Sequence, residues 1–270
     1  MTMMETTELN IRLESDTEAS GSKDVEGGNL QGKTDAALAT LQRLATRAMG
    51  LTGADVERIV REAKLTARRG KRPLTYADLE EGVRGHRPPL PHDVRWRLAI
   101  HETGHAVVHH ALRLGSIKGL TIDSIDGGRN DLSFASSGPD TCAWYDRVLA
   151  LLMAGRAAEL IVLKTASAGS GGAEQSDLAR ATRMGLDMEQ TLGFGRRYPL
   201  LYLEHKDPTA ILSLDADLAN RIHQRLEFAQ ARATEVIFEN RAAFDRLARA
   251  LFDAQALDGK AVMDILLSTD

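Results

Sequence analysis

Cysteine is almost missing from this sequence: Cys142 is the single one in 270 residues, so no disulfide can close within the chain and a reducing compartment is expected. Nothing in the sequence puts a base beside Cys142, which leaves it a structural role. Aromatic residues make up only 4%, while alanine, leucine and arginine abound, and that balance leans toward helix. No stretch approaches the roughly 18 uninterrupted apolar residues of a membrane span. The opening Met-Thr-Met-Met-Glu-Thr-Thr-Glu has neither the basic start nor the apolar run of a secretion signal, so a soluble cytoplasmic protein is expected. A surplus of basic charge is missing as well. With a formal net charge of −4 and a pI near 6.1, the chain lacks the electrostatic footprint of a nucleic-acid binder. No Gly-x-x-x-x-Gly-Lys-Ser/Thr loop occurs either, so nothing cradles nucleotide phosphates in the P-loop manner, and the chain is not expected to be an ATP-driven machine by itself.

What is present is ordinary in bulk. Hydrophobic residues at 43% and charged residues at 27% are enough to bury a sizeable core in one large or two small domains. Residues 1–34 are polar and acidic with scattered glycines, and read as a disordered acidic tail. From Asp35 the apolar residues Ala37, Leu38, Leu41, Leu44, Ala45 and Ala48 recur at helical spacing up to Gly50. Thr52 with Asp55, and Thr75 with Asp78, read as capping residues of two further helices, one ending near Gly70 and the other running through Leu79 and Val83. These elements make a three-helix unit over residues 35–85. Its basic cluster of Lys64, Arg68, Arg69, Lys71 and Arg72 is ringed by acidic residues, which makes it a solvated face rather than a DNA-reading helix. Pro88, Pro89 and Pro91 stiffen a connector over 86–92, and a second domain is expected over 93–270. Within it, Ile117 to Ile125 reads as a strand, 126–130 as a turn and Asp131 to Ser136 as the returning strand of a small hairpin. Ala143 to Leu163 reads as a long buried helix, and 215–267 as a run of amphipathic helices.

The chemistry concentrates in Val94 to Leu112. Trp96, Leu98, Ala99, Ile100, Ala106, Val107, Val108, Ala111 and Leu112 there are apolar, which marks a helix buried on most sides. Set into it is His101-Glu102-Thr103-Gly104-His105, an H-E-x-x-H pattern. One helical turn apart, His101 and His105 can hold a single zinc ion through two imidazole nitrogens, and Glu102 beside that face can take a proton from water that the metal has made acidic. Buried imidazoles and a carboxylate need partners of this kind, since unpaired they destabilise. His109 lies about 12 Å further along the helix than His101 and cannot share the same ion in this way, so His109 and His110 are assigned to packing or to support of the site.

Two acidic residues elsewhere bear on this site. Glu159, in the Ala154-Gly155-Arg156-Ala157-Ala158-Glu159 segment of the long helix, either faces solvent or orients a metal ligand, because burial without a partner would destabilise it. Asp177 follows the glycine-rich loop 167–172 and Ser176, at the start of another helix. It either complements the helix dipole or supplies a third zinc ligand, of which two histidines leave a catalytic site one short.

His-Glu-Thr-Gly-His-Ala-Val-Val, then Ala-Gly-Arg-Ala-Ala-Glu, then a glycine-rich loop before Ser-Asp-Leu-Ala-Arg-Ala-Thr, then Leu192-Gly193-Phe194-Gly195 resemble, in order, successive motifs of the FtsH zinc metalloprotease family. Residues 50–56 and 74–79 resemble the end of the AAA+ lid that precedes the peptidase domain in such proteins. The resemblance implies a mainly α, helical zinc peptidase domain with a small β-hairpin near the metal, after a lid-like helical unit. It implies Zn2+ held by His101, His105 and Asp177, Glu102 as general base, and Glu159 near the metal. It further implies a polypeptide substrate held along a strand, and assembly into a homo-oligomer such as a hexamer. Since the sequence has neither nucleotide-binding core nor membrane anchor, cleavage of unfolded or flexible polypeptides is expected, with any ATP dependence supplied by a separate AAA+ partner. The alternative is a non-catalytic zinc-binding adaptor or assembly partner of an FtsH-type protease, against which the intact Glu102 argues.

Overall fold

The computed structural model describes residues 40–41, 44–48, 51–85, 90–124, 127–134, 140–204 and 208–268. The expected acidic tail, most of the first helix of the lid-like unit and most of the proline connector lie outside the described residues. The described residues from Thr40 onward form one compact unit.

The first complete helix, α1 (Gly53–Arg69), begins where its capping box closes: the Thr52 hydroxyl accepts from the Asp55 amide at 3.2 Å and the Asp55 carboxylate accepts from the Thr52 amide at 3.1 Å. Its buried Ile59, Ala63 and Ala67 pack toward α2 (Tyr76–Gly85), which begins after Thr75, whose amide donates to Asp78 at 2.8 Å. Hydrogen bonds from Arg72 and Thr75 hold the Asp78 carboxyl well below the usual carboxylate range. Residues 44–47 are helical, and Arg47 there joins the Ala254 carbonyl at 3.2 Å and Glu80 at 3.0 Å.

The remainder alternates helices with a small sheet: α3 (His92–Ala111), β1 (Gly115–Ser124), β2 (Gly127–Phe134), α4 (Cys142–Leu163), α5 (Asp177–Gln190), α6 (Pro208–Leu214), α7 (Ala216–Glu239), α8 (Arg241–Ala254), β3 (Ala256–Asp258) and α9 (Gly259–Leu267). Among the described residues no helix is long and apolar enough to cross a membrane. The architecture is mainly helical, with one antiparallel sheet in the order β2-β1-β3.

α4 is the axis of the packing. One side faces a core built from Ile100 and Val108 of α3, Leu120 of β1, Val236 of α7 and Leu247 of α8; another carries Leu149, Leu152 and Met153 into a second cluster with Leu186 of α5 and Ile222 of α7. α3 and α4 come together through small residues. A methyl group on Gly104 would stand 2.6 Å from the Ala154 carbonyl oxygen and 2.7 Å from the Ala158 side chain, closer than non-bonded atoms tolerate.

The sheet differs from the expected hairpin in two ways. Residues 127–130, read as a turn because of Gly127-Gly128, belong to β2, where Arg129 pairs with Thr121 and Asn130 with Leu120. A third strand, β3, pairs Leu257 with Leu120 inside a segment that sequence periodicity assigned to helices. Three residues carry no readable period, and tertiary pairing along β1 decides their conformation.

Gly104→Ala should lower the thermal midpoint by about 2–8 °C, since a clash with backbone puts overpacking at about 2–3 kcal/mol, which outweighs the gain in helix propensity of about 1 kcal/mol. Differential scanning calorimetry of the two chains checks this.

Candidate metal centre

On α3, His101 and His105 are separated by one turn, and their ring centroids are 4.9 Å apart. Each imidazole has its inner nitrogen tied down. His101 Nδ1 lies 2.9 Å from Glu159 Oε1 on α4, and His105 Nδ1 lies 2.9 Å from the backbone carbonyl of Leu151, also on α4. Both outer nitrogens therefore converge: Nε2 to Nε2 is 3.1 Å. Asp177, at the first position of α5, brings Oδ2 to 3.3 Å from His101 Nε2 and 3.1 Å from His105 Nε2. Its place is set by Ser176, whose hydroxyl caps the helix by accepting from the Ala179 amide at 3.3 Å.

The donor set fits a metal ion. Two nitrogens bound to one zinc at its usual distances of about 2.0–2.1 Å stand about 3.3 Å apart, and these three atoms already stand at 3.1–3.3 Å. Both imidazoles also carry the supporting hydrogen bond that metal-ligating histidines regularly make through the other nitrogen.

Electrostatics reflect the same convergence. Burial works against a charged His101, but the hydrogen bonds to Asp177 and Glu159 and the nearby Glu102 outweigh it and hold the imidazole up at about 10 in the metal-free chain. Burial raises Asp177, yet the charge of His105 and the hydrogen bonds to both histidines win and keep it well below the usual carboxylate range. Glu159 is 1% exposed. Burial pushes its carboxyl up, and hydrogen bonds from His101, Arg97 and Ser167 bring it down to about 2. Arg97 Nη1 donates to Glu159 at 2.5 Å, and Ser167 donates through its amide at 2.8 Å and its hydroxyl at 3.1 Å.

Glu102 is buried at 4% exposure, and its Oε2 accepts a 2.7 Å hydrogen bond from the Asn130 side-chain amide on β2. Together with His101, Gly128 and Glu159 it lines an open cavity of about 510 Å³, whose apolar wall is Val94, Trp96, Leu98 and Leu163.

Of the residues singled out from sequence, the structure brings His101, His105 and Asp177 together, with ligand atoms all within 4.8 Å of one another. It places Glu159 against His101 rather than in solvent, and His109 elsewhere, its ring centroid 6.0 Å from that of Phe134 and its imidazole pushed down by burial. Sequence reading missed Arg97, Ser167, Asn130 and the Leu151 carbonyl. Arg97 carried a usable signal, being four residues before His101 on the same helix face. The Leu151 carbonyl carried none, since a backbone acceptor is independent of side-chain type.

The chain is 31% identical over 251 residues to the ATP-dependent zinc metalloprotease FtsH 1 of Thermoanaerobacter sp. (strain X514), covering 82% of this chain and 39% of that protein. It is 29% identical to the ATP-dependent zinc metalloprotease FtsH of Synechococcus sp. (strain JA-2-3B'a(2-13)), over 87% of this chain and 41% of the relative. For the protein of the same name from Neorickettsia risticii (strain Illinois) the identity is 29%, over 80% and 36%. The chain thus spans between 36% and 41% of the length of these relatives. The family model described as peptidase family M41 matches residues 90–265, a stretch that holds α3, the sheet, α4 and α5 and with them every residue of the converging trio: the chain belongs to peptidase family M41.

Proposed function

We propose that this chain is a zinc-dependent endopeptidase that hydrolyses peptide bonds of unfolded or flexible polypeptides. The observation that carries this reading is the convergence of His101 Nε2, His105 Nε2 and Asp177 Oδ2 at 3.1–3.3 Å, next to the buried carboxylate of Glu102. The names of its relatives support zinc as the ion.

His101, His105 and Asp177 hold the ion. When bound, it supplies Lewis-acid chemistry, acidifying water and polarising the scissile carbonyl. Glu102 accepts the water proton and delivers it to the leaving amine. Glu159 keeps His101 in the tautomer with Nδ1 protonated, and the Leu151 carbonyl does the same for His105. β2 lies at the edge of the sheet beside Glu102, so an extended substrate can pair along it while a side chain enters the cavity walled by Trp96, Leu98 and Leu163. Self-association, the expected hexamer included, belongs to the same proposal, and the exposed Leu200, Tyr202, Leu214 and Phe228 offer apolar surface for it. The ATP dependence in the relatives' names is a property of those longer proteins; any ATP dependence of cleavage by this chain we assign to a separate AAA+ ATPase.

Metal analysis of the purified chain should find one zinc per polypeptide, and cleavage of casein should stop when a chelator is added. Glu102→Gln should keep the zinc while kcat falls by about 10²–10⁴-fold. Bound zinc in a wild-type chain that leaves casein intact would favour the adaptor, and a chain without zinc would sink the reading.

Zinc affinity should depend on pH in a defined direction. Because His101 in the metal-free chain is held up at about 10, below that pH it carries a proton that must leave before Nε2 can bind zinc. Affinity should therefore rise with pH and weaken on acidification, by about tenfold per pH unit for one displaced proton. Competition with a chromophoric chelator between pH 6 and pH 9 measures the slope.

A further inference from the structure

The residue next to the metal ligands most exposed to error is Glu102. A glutamate has three side-chain torsions, and a general base must stay within hydrogen-bond reach of the proton it takes; small misplacements diminish the rate steeply. His101 and His105 are each fixed at a second point by Glu159 and Leu151. For Glu102 the second point comes from β2. Gly128 and Asn130 are two residues apart on this strand and so share a face. That face lies on Glu102 twice over. The Asn130 amide donates to Oε2 at 2.7 Å, and a Cβ on residue 128 would stand 2.8 Å from Glu102 Cγ and 3.0 Å from Cδ, so any side chain there would push Glu102 aside. Leu132, next on the same face, packs against the main core and anchors the strand in this register.

We propose that Asn130 is a positioning residue for the general base: its side-chain amide pins one oxygen of Glu102 and keeps the carboxylate facing the cavity beside His101. This rests on the endopeptidase reading for its catalytic consequence, but not for the contact itself. The chemistry suits an amide. A neutral donor holds the carboxylate without the opposing charge of an arginine or lysine, which would lock it into an ion pair and compete for the lone pair that must receive a proton. The arrangement also joins two tasks in one strand. β2 is the edge on which an extended substrate can pair, and Asn130 belongs to it, so the scissile peptide and the base are registered by the same backbone.

The test has two independent parts. The first is a double-mutant cycle between Asn130→Ala and Glu102→Ala, read by thermal unfolding of the purified chain. Asn130→Ala should lower the midpoint by about 2–4 °C in the wild-type background and by clearly less when Glu102 is already absent. Equal shifts in both backgrounds overturn the contact, whatever the chain's activity. The second is steady-state cleavage of a fluorogenic casein. Asn130→Ala should lower kcat about tenfold with KM and zinc content unchanged. Asn130→Asp, of the same shape but without the donor and with a like charge facing Glu102, should lose at least as much. Wild-type kcat in both variants overturns the positioning role. If the wild-type chain binds zinc or not but cleaves nothing, the endopeptidase reading and with it the catalytic role of Asn130 fall, while the thermal cycle still decides whether Asn130 fixes Glu102.

Discussion

The centre of this molecule depends on keeping one carboxylate, Glu159, both buried and paired. It lies on α4 among alanines and leucines, where an unpaired charge would strongly destabilise the fold. Four donors remove that difficulty: His101, Arg97, and the amide and hydroxyl of Ser167. Each donor in turn is held by Glu159. The arginine on α3, the histidine on α3 and the loop after α4 are thereby locked to one another, and His101 presents Nε2 in a single direction. A polar network that is fully satisfied rigidifies its surroundings, and here it does so at the point where three elements meet.

That network works only because α3 and α4 approach closely. Gly104, Ala154 and Ala158 bring the helices together, and Gly155 leaves room for the His101 ring, whose Cδ2 would lie 2.6 Å from any added methyl. The same small residues put the Leu151 carbonyl within reach of His105. Packing and chemistry are thus one requirement along this seam: the side chains that would fill it with more apolar volume would displace the imidazoles.

How much of this was legible in the sequence depended on distance along the chain. His101, Glu102 and His105 were legible because their relation is a single helical turn, and the apolar flanks showed that the helix was buried. Asp177 is 72 residues from His105, so composition and periodicity left open whether it served the helix dipole or the metal; family resemblance pointed to the metal, and the fold brings it onto the two histidines. Glu159 was undecided from sequence alone because burial, not identity, settles what a helical glutamate does. Asn130 was hidden by its neighbours. Gly127-Gly128 normally mark a turn, whereas here glycine is present because Glu102 lies directly beneath the strand. β3 escaped because Ala256-Leu257-Asp258 is too short for alternation to show, and it exists through pairing with β1. The overall helical architecture, with helix starts at Thr52 and Ser176 set by side-chain caps, was the most local information and the most readable.

The separation of the converging side chains has a consequence for chain entropy. His105 and Asp177 enclose a loop of 72 residues that contains the whole β1–β2 hairpin and α4. An ion gripping both ends ties off that loop in the folded state and has no comparable grip on the unfolded chain, where the ends rarely meet. Metal loading at these residues would therefore act as a clasp on the topology, and the equilibrium between folded and unfolded chains would shift with the free concentration of the ion.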